Sequence, residues 1–379
     1  QHPRQKAAAG ARAQKKTWAD FVAAWKALES NYLASGGEGL AVLAPASSSP
    51  TLFRLAGALR QRFPNLRWAT WEPVSDENAL AGAALLAGRP LVPSYDLSAA
   101  RVVVSLDADL LLGERDAVAH ARGLISGRRL ASEKDEMNRL WVVESAFTTT
   151  GAMADHRLAL PSGRIGAFAL ALGQALAAAG VAVALPAGDA GELPGVPPRW
   201  LPALAKDLAA HAGQSLVVAG RDQPPAVHAL ALAINAALDN LGTTVTLREP
   251  VDVLPPSTPE LTALAAAVAG GAVSTLVILG GNPVYDAPAD LKLQAALAKV
   301  ANVVHLGQAV DETAAAAHWH LPEAHFLEAW GDCRSSDGTA SVVQPLIAPL
   351  FGGKSAIEVL GLLASGEDQP GYDLVRETW

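Results

Sequence analysis

A few short stretches of this chain carry residue types that could do chemistry. The first is Gly280-Gly281-Asn282-Pro283, directly after the apolar run LVIL at 276–279. Open α/β sheets bind ligands beyond the carboxyl ends of their strands, and amides flanked by no Cβ suit a phosphate, so a nucleotide phosphate would lie at this turn. The second is HWHLPEAH, where His318 and His320 share one side of a strand and, with His325, could chelate zinc. No cysteine or carboxylate pattern accompanies them, and structural or interface roles are expected. The third, at 351–355, reads Phe-Gly-Gly-Lys-Ser and imitates the end of a phosphate loop. The leading glycine of such a loop is replaced by Ala348, followed by Pro349, so no phosphate role is expected.

Two further clusters have a chemical and a plain reading. Cys333 lies in GDCRSSDG, where Arg334 could lower its pKa and His325 is near in sequence; an inert thiol is expected. Asp107 and Asp109, beside Glu114, Arg115 and Asp116, could do acid–base work, but helix capping or loop solvation is expected. Nine tryptophans are many for a chain with few other aromatics. Trp141, Trp200, Trp319, Trp330 and Trp379 fall near predicted strand ends or loops, where indoles suit partner interfaces as well as core packing.

The elements that must position these residues follow a pattern that occurs twice, at 102–161 and at 276–322. Each copy reads strand, polar turn, helix, strand, then a Thr- and Ala-containing stretch ending in Leu-Pro. Around them the periodicity predicts a helix over 18–33, a strand at 39–44, a helix over 51–63 and a strand at 65–71. Further on it predicts helices over 165–180, 201–211 and 223–241, strands at 215–219 and 243–247, and a last helix near 355–363. Strand, turn, helix, strand implies parallel pairing, at 39–71 and again at 215–247. The fold class expected is α/β, with two pseudo-symmetric lobes of mainly parallel sheet flanked by helices. Residues 1–16 read as a loosely ordered linker, 17–75 as the first part of lobe A, and 76–190 as lobe B. Residues 191–365 read as the remainder of lobe A and 366–379 as an exposed tail, with the Pro/Gly-rich stretch 188–200 as the linker between lobes. No long regular element is expected in 323–345.

A chain of 379 residues can bury a core of this size. A net charge of −8 argues against nucleic acid as a partner. Half the residues are apolar and 17% charged, a balance that suggests surface covered by other subunits. Cys333 is the one cysteine, which excludes a disulfide, a four-cysteine iron–sulfur cluster and an all-cysteine zinc site within this sequence. The abrupt basic, Ala-rich opening reads as part of a processed or fragmentary product.

The repeated pattern resembles the central α/β domains of the molybdopterin oxidoreductase superfamily. Gly280, Asn282 and Pro283 match its Gly-x-Asn-Pro strand end; Glu312-Thr313-Ala314 with Leu321-Pro322 match its second element, and Glu328 with Gly331 its acidic–glycine signature. In the first copy Asp107 stands for the Asn, while Thr149, Ala154, Asp155 and Leu160-Pro161 fit. The resemblance covers most of residues 30–345. Three stretches, MNRLWVVESAFTTTGAMADHRL, LPEAHFLEAWGD and VVQPLIAPLFGGKSAIEVL, look like one branch, the large periplasmic subunit of alternative complex III, a quinol:electron-acceptor oxidoreductase.

That resemblance implies a cofactor-less, non-catalytic region on the periplasmic side of the cytoplasmic membrane. Its implied partners are an iron–sulfur ferredoxin-like region, a multihaem cytochrome c subunit and quinol-binding membrane subunits, which would hold the iron–sulfur clusters and haem. The sequence departs from the superfamily in offering no upstream cysteine and no molybdenum ligand. Gly280, Gly281, Asn282, Pro283 and Thr313 then line a vestigial cleft, with no catalytic residue and no metal. A fragment of an active molybdopterin-dependent oxidoreductase, and a nucleotide-binding α/β enzyme, are the alternatives.

Overall fold

The computed structural model describes residues 2–7, 12–251 and 253–379. Its strands, in chain order, are β1 (Arg4–Gln5), β2 (Gln14–Lys15), β3 (Leu40–Ala44), β4 (Arg67–Thr70), β5 (Val92–Tyr95), β6 (Val102–Leu106), β7 (Arg139–Glu144) and β8 (His156–Ala159). They continue with β9 (Ser215–Ala219), β10 (Val245–Arg248), β11 (Thr275–Leu279), β12 (Asn302–Gly307), β13 (Trp319–Pro322), β14 (Gly331–Arg334) and β15 (Ala340–Val343). The helices are α1 (Trp18–Ser35), α2 (Pro50–Arg62), α3 (Glu77–Ala87), α4 (Ala117–Ser126), α5 (Thr149–Ala152), α6 (Ile165–Ala178) and α7 (Trp200–Ala210). After them come α8 (Pro225–Ala237), α9 (Thr258–Ala269), α10 (Pro283–Asp286), α11 (Leu293–Leu297), α12 (Glu312–Ala316), α13 (Ala356–Ser365) and α14 (Gly371–Thr378).

The chain divides into two compact units, residues 1–74 with 251–379, and residues 75–250. Residues 191–250, expected in lobe A, therefore fall in the second unit, because β9 pairs parallel with β6 through Val102↔Ser215 to Leu106↔Ala219. The stretch 188–200 lies inside that unit and does not link lobes.

In the first unit the sheet order is β2-β1-β13-β12-β11-β3-β4. The central strands β3 (LAVLA) and β11 (TLVIL) are buried throughout, as strands covered on both faces must be. One face packs on α1, α2, α13 and α14 through Phe21, Trp25, Leu55, Leu59, Leu360 and Leu374. The other packs on α9 and α11 through Leu261, Val268, Leu293 and Leu297. The opening segment is not wholly a loose linker: β1 pairs antiparallel with β13 (Arg4↔His320), β2 pairs with β1, and Lys6 Nζ donates to the carbonyls of Ala314 and Ala315. Gln1 and residues 8–11 lie outside the described residues. Nor is 366–379 an exposed tail, since α14 buries Leu374 and Val375 in the core. The region 323–345 holds the short hairpin β14–β15.

In the second unit the parallel sheet runs β8-β7-β6-β9, cored by Val104, Trp141, Phe168, Leu172, Leu204 and Ile234 on one face and by Val103, Leu124, Leu140 and Leu216 on the other. The strand expected at 243–247 is not the parallel partner of β9. A turn closed by Val245 N–H to the Asn240 carbonyl reverses the chain after α8, and β10 pairs antiparallel with β5.

Candidate functional site

In the first unit, β3 connects through α2 to β4 on one side, and β11 connects to β12 on the other. Neighbouring strands whose connections leave in opposite directions mark the topological switch point of an open α/β sheet. A crevice opens there, lined by Ala44 at the end of β3 and Pro45 after it, Trp71 and Glu72 after β4, and Gly280 to Pro283 with Asp286 after β11. Gly280 (φ 90°) and Gly281 (φ 74°) adopt the left-handed backbone that favours glycine, which lets β11 turn sharply into α10.

The sequence candidates Asn282 and Thr313 are brought together, but they face each other. Asn282 Oδ1 accepts from Thr313 N–H (3.1 Å) and Thr313 Oγ1 (2.7 Å), Asn282 Nδ2 donates to Glu312 Oε2 (2.7 Å), and Thr313 Oγ1 accepts from Val284 N–H (3.1 Å). The hydrogen bond from Asn282 holds the exposed Glu312 carboxyl below its ordinary range. The second unit repeats this clamp: Asp109 Oδ1 accepts from Thr150 N–H (3.0 Å) and Oγ1 (2.7 Å), and Leu111 N–H donates to Thr150 Oγ1 (3.0 Å). The counterpart of Asn282 is thus Asp109, not Asp107, and that of Thr313 is Thr150, not Thr149. Strand register likewise makes Leu158-Ala159, not Leu160-Pro161, the counterpart of Leu321-Pro322. Matching by the Leu-Pro letters slips by two residues, which keeps the same face of a strand and so leaves the hydrophobic pattern unchanged.

Asp107 matches Gly280 and, like it, has a left-handed backbone (φ 60°). Its carboxylate accepts from Ser145 N–H (2.8 Å), Ser145 Oγ (2.9 Å), Ser162 Oγ (2.7 Å) and Gln223 Nε2 (2.9 Å). The acidic cluster therefore braces loops: Glu114 pairs with Arg221 and Arg115 with Asp76, and no side chain caps α4.

The three histidines do not converge. His318 Nδ1 accepts from Val303 N–H, His325 caps the turn at 326–328, and His320 Nδ1 lies 3.3 Å from His305 Nδ1. Among the described residues no cluster of three or more His, Cys, Asp and Glu side chains is placed to hold a metal. In 351–355, Lys354 pairs with Asp368, and Ser355 caps α13 in a capping box with Glu358. Cys333 is exposed on β14. Trp141 and Trp200 pack edge to face, Trp319 is buried against Phe21, Trp330 packs on Tyr372, and Trp379 is exposed.

Sequence reasoning missed the most perturbed groups of the first unit. Burial pushes Glu323, at the end of β13 and 3.8 Å from where a Gly280 Cβ would sit, up to about 7. Burial also raises Glu72, helped by the charge of Asp286, and raises Asp286, helped by Asp311. Asp286 Oδ1 is buried with no hydrogen-bond partner. Burial lowers His305, and lowers His320 to about 4 with His305 adding to the effect. Nothing at Glu72, Asp286 or Glu323 distinguishes them in sequence from solvated acids; strand order makes them neighbours.

No protein-family model and no curated protein matches this chain. Among solved structures, acetylene hydratase from Pelobacter acetylenicus aligns with a TM-score of 0.74 at 15% identity, over 96% of this chain and 62% of that one. A chain of the formyltransferase/hydrolase complex (FhcABCD) from Methylorubrum extorquens, solved with methylofuran, aligns with a TM-score of 0.57 at 15% identity, over 95% of this chain and 98% of its own. The fold shared with these structures is α/β, with parallel sheets flanked by helices. This chain spans 62% of the length of acetylene hydratase.

The group that the sequence's superfamily resemblance implies is a pterin nucleotide, whose pyrophosphate needs cations or free N–H donors. The crevice residues do not fit it. Among the residues lining the crevice none is Lys or Arg, two are carboxylic acids, and Glu323 adds a third acid beside Gly280.

Proposed function

We propose that this chain is a non-catalytic α/β scaffold of a membrane-attached respiratory quinol:electron-acceptor oxidoreductase of the alternative complex III kind. The observation that carries its cofactor-less character is the acidic, cation-free lining of the switch-point crevice. In this reading the chain holds in place an iron–sulfur ferredoxin-like region, a multihaem cytochrome c subunit and quinol-binding membrane subunits. Electrons pass through their clusters and haem on the periplasmic side of the cytoplasmic membrane. No helix among the described residues is long and apolar enough to cross a membrane, so the reading assigns attachment to the partners.

Support for a partner-covered surface comes from segment 342–351. Leu346, Ile347, Leu350 and Phe351 are exposed there, yet the segment is fixed by Leu346 N–H to the Leu327 carbonyl and Leu350 N–H to Glu328 Oε1. Ordered and exposed apolar residues in one run suit an interface.

A second reading is a region of an active molybdopterin-dependent oxidoreductase, with which the likeness in fold to acetylene hydratase agrees equally well. Elemental analysis of the natively purified assembly, with mass spectrometry of its subunits, separates the two. Iron and haem without molybdenum or tungsten is the expected result. Stoichiometric molybdenum or tungsten bound by this chain would overturn the scaffold reading.

A further inference from the structure

In a doubly wound fold the anion of a nucleotide sits at the N-terminus of the helix beside the switch point, where free N–H groups and the helix dipole favour negative charge. In the first unit that helix is α2, which follows β3 through Ser49. Its N-terminus already holds a carboxylate from far along the chain. Asp332, buried on β14, accepts from Thr51 Oγ1 (2.6 Å), from Thr51 N–H (3.2 Å to Oδ2) and from Trp379 Nε1 (3.1 Å). Ser49 Oγ also donates to Asp332 while accepting from Leu52 N–H (3.0 Å).

The second unit reaches the same outcome by other residues. There the switch point lies between β6 and β9. Asp107 fills it, with its four donors, and Gln223, just before α8, is one of them. The helix itself offers little: α8 opens on Pro224-Pro225, and proline has no N–H to give. Backbone also closes the space, since a Cβ on Gly220 would stand 2.0 Å from the Asp107 carbonyl oxygen.

We infer that each unit carries a built-in anion at its switch point, Asp332 in the first and Asp107 in the second, standing where a ligand phosphate would bind. A phosphate-bearing cofactor would have to displace a carboxylate that already holds the available donors, and in the first unit would also meet Glu72 and Asp286. The fold is thus self-saturated against the ligand its architecture was suited to take.

This deepens the cofactor-less reading given above, and its test is separate from the metal analysis, so that either can fail without the other. Inorganic pyrophosphate and GDP are titrated into the full chain by calorimetry, for wild type, Asp332→Asn and Asp107→Asn. Wild type shows no saturable binding at millimolar ligand. Removing the charge while keeping the side chain's shape raises pyrophosphate affinity by about tenfold or more in at least Asp332→Asn, the size expected when a like charge a few ångströms away is removed. Submillimolar binding by wild type overturns the inference. So does a pair of folded variants that bind no better than wild type. If either variant fails to fold, the wild-type titration still decides whether phosphate is excluded, and the remaining variant tests its own unit.

Discussion

Asn282 uses both polar atoms of its side chain within the chain, Oδ1 accepting from Thr313 and Nδ2 donating to Glu312. Deleting its amide in Asn282→Ala leaves Thr313 N–H and Oγ1 without their acceptor, and about 1–3 kcal/mol of stability should be lost. Asn282→Asp, which copies Asp109 of the other unit, keeps both accepting bonds but faces Glu312, so its loss should be smaller than alanine's. Urea midpoints of the two variants check this order, and an aspartate worse than alanine would refute the clamp. His305 and His320 make a second prediction. The Gly281 carbonyl 3.1 Å from His305 Nε2 requires a donor there, leaving His305 Nδ1 to accept from His320 Nδ1–H in the neutral pair. Asp311, 3.8 Å from His305, favours protonation, whereas Arg4 and burial oppose it at His320. A folded value near 4 lies below the ordinary histidine range, so the unfolded chain binds the proton first. Stability is then full above about pH 6.5 and falls as the pH drops toward 4, by on the order of 3 kcal/mol for His320. His320→Gln should flatten that slope by about one proton between pH 6.5 and 4.5, and an unchanged slope would assign it to other groups. Neither the pair nor the crevice acids could be read from sequence. His320 was visible beside His318, but its real partner, fifteen residues upstream, is set by the β12–β13 register His305↔His320.

Elements were more legible than sites because they depend on neighbours a few residues away. Helix α1 begins where Thr17 and Asp20 form a capping box and ends at Gly36 with φ 66°, both local signals. The buried runs LAVLA and TLVIL announce covered parallel strands by composition alone. Pairing is the non-local part: nothing near 245–248 says that β10 meets β5 and not β9, and nothing in 1–16 says that it edges β13. The same distinction sets what a methyl group should do at two glycines. Gly57 lies on the exposed side of α2 with nothing within 4 Å of an added Cβ, so Gly57→Ala should stabilise by about 0.5–1 kcal/mol through helix propensity. Gly220 is judged by a residue 113 positions away: its Cβ would overlap the Asp107 carbonyl at 2.0 Å. Gly220→Ala should cost on the order of 3 kcal/mol or more, because backbone on both sides must shift. Thermal melts of the two variants moving in opposite directions would support both placements, and a harmless Gly220→Ala would show that the β6–β9 crevice is open.

At the scale of the whole molecule, the duplicated grammar was visible in the text of the chain, but the boundary was not. Pro/Gly content favours 188–200 as the joint, yet a joint is defined by where pairing stops, and β9 still pairs with β6 after that stretch. The second unit enters and leaves at 74/75 and 250/251 as one continuous insertion. Its two apolar clusters, around Phe168 and Leu172 and around Leu124 and Leu140, are built from its own residues. At about 175 residues it is within the usual range of a self-sufficient domain. The excised segment 75–250 should therefore fold alone, with α/β circular dichroism and a single cooperative urea transition. Leu112, Val118 and Phe147 are exposed on it and will lower its solubility, so the measurement belongs at low protein concentration. A cooperative transition whose midpoint falls with Gly220→Ala would locate that stability inside the insertion. A segment with native-like helix content but no cooperative transition would mean that its packing is completed by residues outside 75–250, and the division at Val74 and Pro250 would have to be redrawn.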